Sequence, residues 1–394
     1  MAVRLLKKNI YEVGAIDWDR DLFEDLTPLP EGTSYNAYII FGSEKTALID
    51  TVDETKTDEL FKNLDKLGVK KIDYIIPQHA EQDHSSSLPE VLAKYKTAKI
   101  LTNKKCKELL IMHLPLTDDQ FQVVEDGEKL SLGDKTLEFI MTPWVHWPET
   151  MVSYLHEDKI LFSCDFMGGH ITSSELFVTD ERNAYKEAKL YYADILMPFR
   201  KNIQNHFERL KPYDIKIIAP SHGQVYNKPE MIMNAYKEWI SDEVKNLVVI
   251  PYASTHNSVA KMVEYFVDAL IERGVNAKPY HVTRTDIGAL SIDLVDCATV
   301  VMGSSTYIVG PHPEMAYIAF LVNTIRPKMK YLSFLSSYAW ATKAIDILQG
   351  MITNIKPEVL PPVVSKGTPS KEVFDDIDRL ADEIAEKHKS LGIL

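Results

Sequence analysis

His79-Ala80-Glu81-Gln82-Asp83-His84 follows an apolar run at 72–76 that Pro77 closes. Four of these six side chains can bind a cation. Extended backbone sends alternate side chains to one side, so His79, Glu81 and Asp83 are expected to converge while His84 turns to a second ion. Glu81 makes the donor set oxygen-rich and anionic. That favours iron or manganese, which take mixed imidazole and carboxylate ligands, over zinc.

Three more donors stand at the ends of apolar runs. His146 lies in Pro143-Trp144-Val145-His146-Trp147-Pro148-Glu149, after the strand expected at 137–142. Asp165 closes 160–165 and His222 closes 217–222. Any one of them alone is more simply a loop cap or a satisfied buried histidine. Together, in this order and each at a strand end, they point to a metal site.

The order resembles that of the metallo-β-lactamase fold. The Glu variant, His-x-Glu-x-Asp-His, resembles its di-iron branch, the flavodiiron proteins. The resemblance implies His79, Glu81 and His146 on one iron, Asp83, His84 and His222 on the other, and Asp165 bridging them. Trp147-Pro148-Glu149 is similar to the family's Trp-Pro-Asp/Glu. The family also requires a flavin domain further along the chain.

Near Asn246 the chain changes character. An apolar strand at 247–250 leads into Pro251-Tyr252-Ala253-Ser254-Thr255-His256-Asn257-Ser258 and a helix at 259–272. A hydroxyl-rich loop before a helix N-terminus suits an anion. Lys and Arg are absent from it, as are Walker A and Gly-x-Gly-x-x-Gly patterns from the chain, which argues for a monoester over a triphosphate or dinucleotide. Donors are expected from Ser254, Thr255, His256, Asn257 and Ser258. The loop resembles the flavodoxin Ser/Thr-x-Thr-Gly-Asn-Thr loop, with His256 in place of Gly. Strands at 298–302 and 331–335 run into Gly303-Ser304-Ser305-Thr306-Tyr307 and Ser336-Ser337-Tyr338-Ala339-Trp340. In a doubly wound sheet, ligands bind outside such strand ends. Tyr307, Tyr338 and Trp340 are candidates to flank a flat ring. These segments resemble the family's Gly-Ser-Pro-Thr and Ser-Tyr-Gly-Trp, with Ser305 for Pro and Ala339 for Gly. The resemblance implies FMN and two iron ions per chain.

A chain of 394 residues with 45% hydrophobic content can bury two cores. A net charge of -13 argues against nucleic acid. Cys106, Cys164 and Cys297 lie far apart with no Cys-x-x-Cys pair, as in a reducing compartment, so no rubredoxin-like centre is built in. Residues 1–11 lack the apolar core of a signal peptide, and no run approaches the roughly 18 apolar residues of a membrane span. The expectation is a cytoplasmic α/β protein. An N-terminal metallo-β-lactamase-like αββα sandwich fills 1–245, and a C-terminal flavodoxin-like doubly wound parallel sheet fills 246–394. Helices are expected at 53–67, 88–95, 104–113 and 183–210. In the second domain strands are expected at 278–282 and 358–364, with helices at 313–323, 339–350 and 370–390. A helix at 229–245 is expected to run straight into the second domain.

The two sites together imply an oxidoreductase that reduces O₂ to water and/or NO to N₂O, with electrons delivered through FMN. The alternative is a di-zinc hydrolase of the same fold, thioesterase- or glyoxalase-like, in which metal-bound hydroxide attacks a carbonyl. Glu81 and the flavin domain speak against it. A pure electron carrier is a third reading, disfavoured by the complete ligand set. The ligands do not rank O₂ against NO; His170, Tyr191 and Trp147 are candidates for selectivity, with ordinary packing the simpler reading of each. The donor implied is a separate carrier, a rubredoxin. Lys343 and Lys328-Met329-Lys330 are docking candidates set against ordinary solvated surface. The resemblance also implies a head-to-tail homodimer, or a dimer of dimers, with the FMN of one subunit facing the irons of the other.

Overall fold

The computed structural model describes residues 3–23 and 25–394. They fall into two compact units. The first comprises the chain up to Tyr192 together with Phe199–Ile240, and the second Ala193–Pro198 together with Ser241–Leu394.

The first unit is built on a seven-stranded and a five-stranded sheet. In the larger sheet the order is Arg4–Lys7, Ile10–Glu12, Tyr38–Phe41, Thr46–Ile49, Tyr74–Ile76, Lys99–Thr102 and Phe121–Val123. The first four strands pair antiparallel and the rest parallel. Period-two alternation divides its side chains between two cores. Ile39, Leu48, Ile75 and Ile100 point to Leu60, Leu64, Leu88, Val91 and Leu110 on the covering helices. Ile40, Ala47, Ile49, Ile76 and Leu101 point the other way, to Leu137, Phe139, Met151, Leu155, Ile160 and Phe162 of the second sheet. That sheet runs Lys129–Ser131, Thr136–Met141, Met151–Leu155, Ile160–Cys164 and Ile217–Pro220, the last pair parallel. Strands apolar on both faces make this the expected sandwich.

The second unit has parallel strands in the order Asn276–His281, Lys245–Ala253, Cys297–Tyr307 and Tyr331–Tyr338, with Glu358–Val359 and Val363–Lys366 both against the last. This is the flavodoxin-like order. Helix Ser258–Glu272 and helix Lys371–Ser390 close its core through Val259, Phe266, Ile377, Leu380 and Ile384.

Several local expectations are corrected. The helix expected at 229–245 covers Glu230–Ile240 only, so it does not run into the strand that begins at Lys245. The helix expected at 183–210 is two, Glu181–Tyr191 and Arg200–Leu210, separated by a wider turn at Tyr192–Leu196 and a tighter one at Met197–Phe199. Pro198 lacks the amide that a continuous helix needs there. The expected strand at 358–364 is two short strands, and the helix expected at 339–350 covers Ala344–Met351. Helix Ile287–Leu294, capped by Asp286 on the amide of Gly288, was not foreseen.

Candidate functional site

Each acid or imidazole leaves a strand end of the first unit. After Tyr74–Ile76 the backbone bends at Gln78 and again at Glu81, itself extended at φ −61° and ψ 144°, and then makes one helical turn, Gln82–Ser85. His79 and Glu81 meet as expected, but Asp83 does not join them; the turn carries Asp83 and His84 together to a second group. Asp165 follows Ile160–Cys164 directly, behind Cys164 at φ 54°. His222 follows Ile217–Pro220 and precedes Gly223, whose φ of 81° turns the chain sharply.

Two clusters result, His79 with Glu81, His146 and Asp165, and Asp83 with His84 and His222. Glu81 Oε2 lies 3.1 Å from Nε2 of both His79 and His146. Asp83 Oδ2 lies 3.1 Å from His222 Nε2. Asp165 stands between the clusters. Its Oδ2 is 3.6 Å from Nε2 of both His79 and His146, and its Oδ1 is 3.0 Å from His84 Nε2 and 3.5 Å from His222 Nε2. All four histidines and Asp165 are buried.

Both Asp165 oxygens, Asp83 Oδ1 and His84 Nε2 are buried without a hydrogen-bond partner. Four orphaned polar atoms turned into one interior would cost several kcal/mol together, about 1–3 each, unless a bound group satisfies them. Imidazole and carboxylate donors of this kind fit a pair of metal ions.

Electrostatics point the same way. Burial alone would lower the affinity of His84 for a proton, but Asp83, Asp165 and Asp50 outweigh it and push its pKa up to about 10. His79 is likewise raised against burial by Glu149, Glu81 and Asp165. Burial opposes ionisation of Glu81, yet His146 and His79 hold its carboxyl well below the usual range. The concentrated negative charge attracts cations, whether protons or metal.

Surrounding groups fix the donors. His79 Nδ1 is 2.7 Å from Glu149 Oε1, and His222 Nδ1 is 2.6 Å from the Ser34 carbonyl. Trp147 stands perpendicular to His79 with ring centres 4.9 Å apart. The His170 ring lies 4.9 Å from that of His222 and 4.8 Å from that of Tyr191, and its Nδ1 meets Thr33 Oγ1 at 2.8 Å. The three candidates for selectivity thus surround the clusters. Asp50 escaped the reading of the sequence. It is buried, accepts from the Gln78 amide at 2.7 Å and from Ser221 Oγ at 3.2 Å, and so ties the 77–84 loop to the 220–223 turn. A cavity of about 200 Å³ bordered by Arg20, Phe23, Tyr35, Glu81, Asp83 and His170 opens beside the site.

In the second unit, 254–257 forms the loop before helix Ser258–Glu272, where Asn257 adopts a left-handed conformation at φ 61°. Thr255, His256 and Asn257 are exposed, and Ser254 and Ser258 partly so. Ser254 Oγ accepts from the Ala260 amide at 3.1 Å, so it also serves as a local cap. Ser304 and Ser305 are buried: Ser305 donates to the Ala253 carbonyl and accepts from the Thr255 amide, which locks the loop to the neighbouring strand. Thr306 donates to Thr342 at 2.8 Å. Ser337 is buried and Tyr338 half-buried, while Tyr307, Ala339 and Trp340 are exposed at the ends of parallel neighbours. Lys343 is exposed, but Lys328 and Met329 are buried, which removes them from the docking candidates.

Residues 33–223 match the family described as "ODP family beta lactamase". The chain is 32% identical to the nitric oxide reductase of Moorella thermoacetica, over 89% of this chain and 90% of that one. It is 32% identical to the coenzyme F420H(2) oxidase of Methanothermobacter marburgensis, over 80% of each. The solved structure of rubredoxin oxygen:oxidoreductase from Desulfovibrio gigas superposes over 100% of both chains with a TM-score of 0.95 and 29% identity. The chain belongs to the flavodiiron protein family. It is an oxidoreductase, with a metallo-β-lactamase-type fold in its N-terminal half. No helix among the described residues is long and apolar enough to cross a membrane.

Proposed function

We propose that this chain is a cytoplasmic oxygen and/or nitric-oxide reductase. The reading takes 1–245 as the di-iron domain and 246–394 as the FMN domain. The observation that carries it is Asp165, which turns one carboxylate oxygen to each of two histidine-carboxylate clusters. His79, Glu81 and His146 would hold one iron, Asp83, His84 and His222 the other, and Asp165 both. Ser254, Thr255, His256, Asn257 and Ser258 would meet the FMN phosphate, and the 304–307 and 337–340 segments its ring.

When bound, FMN and the iron pair supply the electron storage that the reaction needs: four electrons and four protons for O₂ to two waters, or two of each for two NO to N₂O and water. The chain's own task is to hold charge and geometry. Glu81, Asp83 and Asp165 neutralise cations in a buried site, and the flanking contacts of His79 and His222 keep their Nε2 atoms inward. The names of the relatives give two kinds of donor, a rubredoxin and coenzyme F420H₂. Without Cys-x-x-Cys or a nicotinamide fingerprint, a rubredoxin is the donor proposed here. A head-to-tail homodimer belongs to the same proposal and rests on family likeness.

The test is paired turnover of O₂ and NO by protein containing iron and flavin, given a fast artificial donor, with metal and flavin analysed on the same sample. The expected result is iron at two per chain, FMN, and reduction of at least one gas. A colourless zinc protein, recovered FAD, or no reduction of either gas would overturn the reading.

A further inference from the structure

The two ion positions are matched in the donors they present. One offers His79, His146 and Glu81, the other His84, His222 and Asp83, and each faces one oxygen of Asp165. Two imidazoles, one carboxylate and a share of Asp165 stand on either side. Whatever makes the positions unequal must lie behind these donors.

There they differ. Nε2 of His79 points into its cluster, and its Nδ1 lies 2.7 Å from Oε1 of Glu149, a carboxylate only 2% exposed. The same oxygen accepts from the Ala80 amide at 3.1 Å, and the Glu149 carbonyl is held by Asn103 Nδ2 at 2.6 Å. Glu149 Oε2 has no partner. In the other cluster His222 gives its Nδ1 proton to a neutral acceptor, the Ser34 carbonyl, and His84 Nδ1 has no partner. An anionic acceptor behind a ligating imidazole keeps the proton on the far nitrogen, leaves the near lone pair free and raises its basicity. A carbonyl does this more weakly, and an unpartnered ring must first select a tautomer.

We propose that Glu149 is a positioning residue that makes the His79–Glu81–His146 position the tighter of the two, so that it fills first and empties last. This rests on the two-metal reading above and adds an order of loading to it. Glu149 stands behind the donors rather than among them; it acts through His79, and the Ala80 amide holds its oxygen in place.

The experiment follows anaerobic release of Fe(II) from the purified holoprotein to a coloured chelator, with wild type, Glu149→Gln, His146→Ala and His222→Ala. Glutamine keeps an oxygen acceptor for His79 and Ala80 and removes only the charge. Wild type is expected to release iron in two phases. His146→Ala should remove the slow phase and His222→Ala the fast one. In Glu149→Gln the slow phase should accelerate by about 10–100-fold while the fast phase keeps its rate. Anaerobic titration of metal-depleted protein with Co(II), read by its visible absorption, should show the same loss of the tighter step. A merely structural role would loosen both positions together, so equal acceleration of both phases overturns the proposal. An unchanged slow phase in Glu149→Gln, or a slow phase that His222→Ala removes, overturns it as well. A wild-type chain that holds fewer than two ions overturns the two-metal reading and this proposal with it, whereas two ions with an unaltered slow phase overturns the proposal alone.

Discussion

Oδ1 of Asp165 and Nε2 of His84 are buried 3.0 Å apart as an ion pair whose atoms are not aligned for a regular hydrogen bond. Two polar atoms at contact distance without a regular hydrogen bond make sense when a cation lies among them. Asp165→Ala is therefore expected to do the greatest damage at the site, because it removes the one group shared by both clusters. Iron should fall from two per chain to one or none, with loss of gas reduction by at least 100-fold. His84→Ala should weaken one position and spare the other. Metal analysis after gel filtration checks both, and full occupancy in the Asp165 variant would exclude a bridging role.

Gly223 sets the direction of His222. At φ 81° it is in a region that L side chains rarely adopt, and a Cβ there would lie 2.5 Å from the Gly169 carbonyl oxygen. Its own carbonyl accepts from Asn36 Nδ2 at 2.7 Å, so the turn has little room to shift. Gly223→Ala should cost about 1–3 kcal/mol of stability. It should also reduce metal at the position that uses His222. Thermal unfolding and metal content measured together test this; a variant with wild-type melting and two tightly held ions contradicts it.

The second unit carries a pH-sensitive contact far along the chain from the proposed flavin loops. His388 is buried, with Nδ1 2.9 Å from Asn246 Oδ1 and Nε2 2.8 Å from Thr299 Oγ1. Burial pushes its pKa from 6.5 down to about 4. The unfolded chain then binds a proton that the folded chain refuses, so stability is full above about pH 6.5 and is lost as pH falls toward 4. The loss should approach roughly 3 kcal/mol at the acid end. Amide hydrogen exchange in the Cys297–Tyr307 strand, corrected for intrinsic rates at pH 7 and pH 5, should show it. His388→Gln should flatten the dependence; an equally steep profile in that variant would assign it to other groups.

The donors at strand ends were legible because an acid or imidazole directly after an apolar strand has few structural reasons to be there. The αββα and flavodoxin-like architectures were legible for a related reason, since strands apolar on both faces need cover on both sides. What escaped lies in local backbone choices and distant pairings. The alternation that would have joined Asp83 to His79 and Glu81 fails at the single turn Gln82–Ser85, too short to show a helical period. Helix Ile287–Leu294 is apolar nearly all round, so only Asp286 at its start signalled it. The break near Pro198 was readable from that proline. Glu149 stood out only as part of a resemblance; its partner His79 is 70 residues away, and spacing cannot show a contact of that kind. Asp50 bears the same mark, an acid directly after the apolar strand Thr46–Ile49, but its contact with Ser221 spans 171 residues, so nothing local told its role from that of a metal donor.

The source of electrons gives the last expectation. The sequence has neither Cys-x-x-Cys nor a nicotinamide fingerprint, so NADH alone should support only slow consumption of O₂ or NO. A rubredoxin with its reductase should restore fast turnover. With a net charge of -13, docking of an acidic carrier cannot rest on overall attraction and needs a local patch. Lys328 is buried near Asp296 and cannot supply it, while Lys343 is exposed just beyond the 337–340 segment. Lys343→Glu should therefore raise KM for rubredoxin by about 3–10-fold and weaken its salt dependence, with kcat from an artificial donor unchanged. Oxygen- and NO-electrode traces compare NADH alone, NADH with the carrier system, and the Lys343 variant. Equal rates in the first two mixtures would show that the chain accepts hydride directly, and an unaltered KM in the variant would place the docking patch elsewhere.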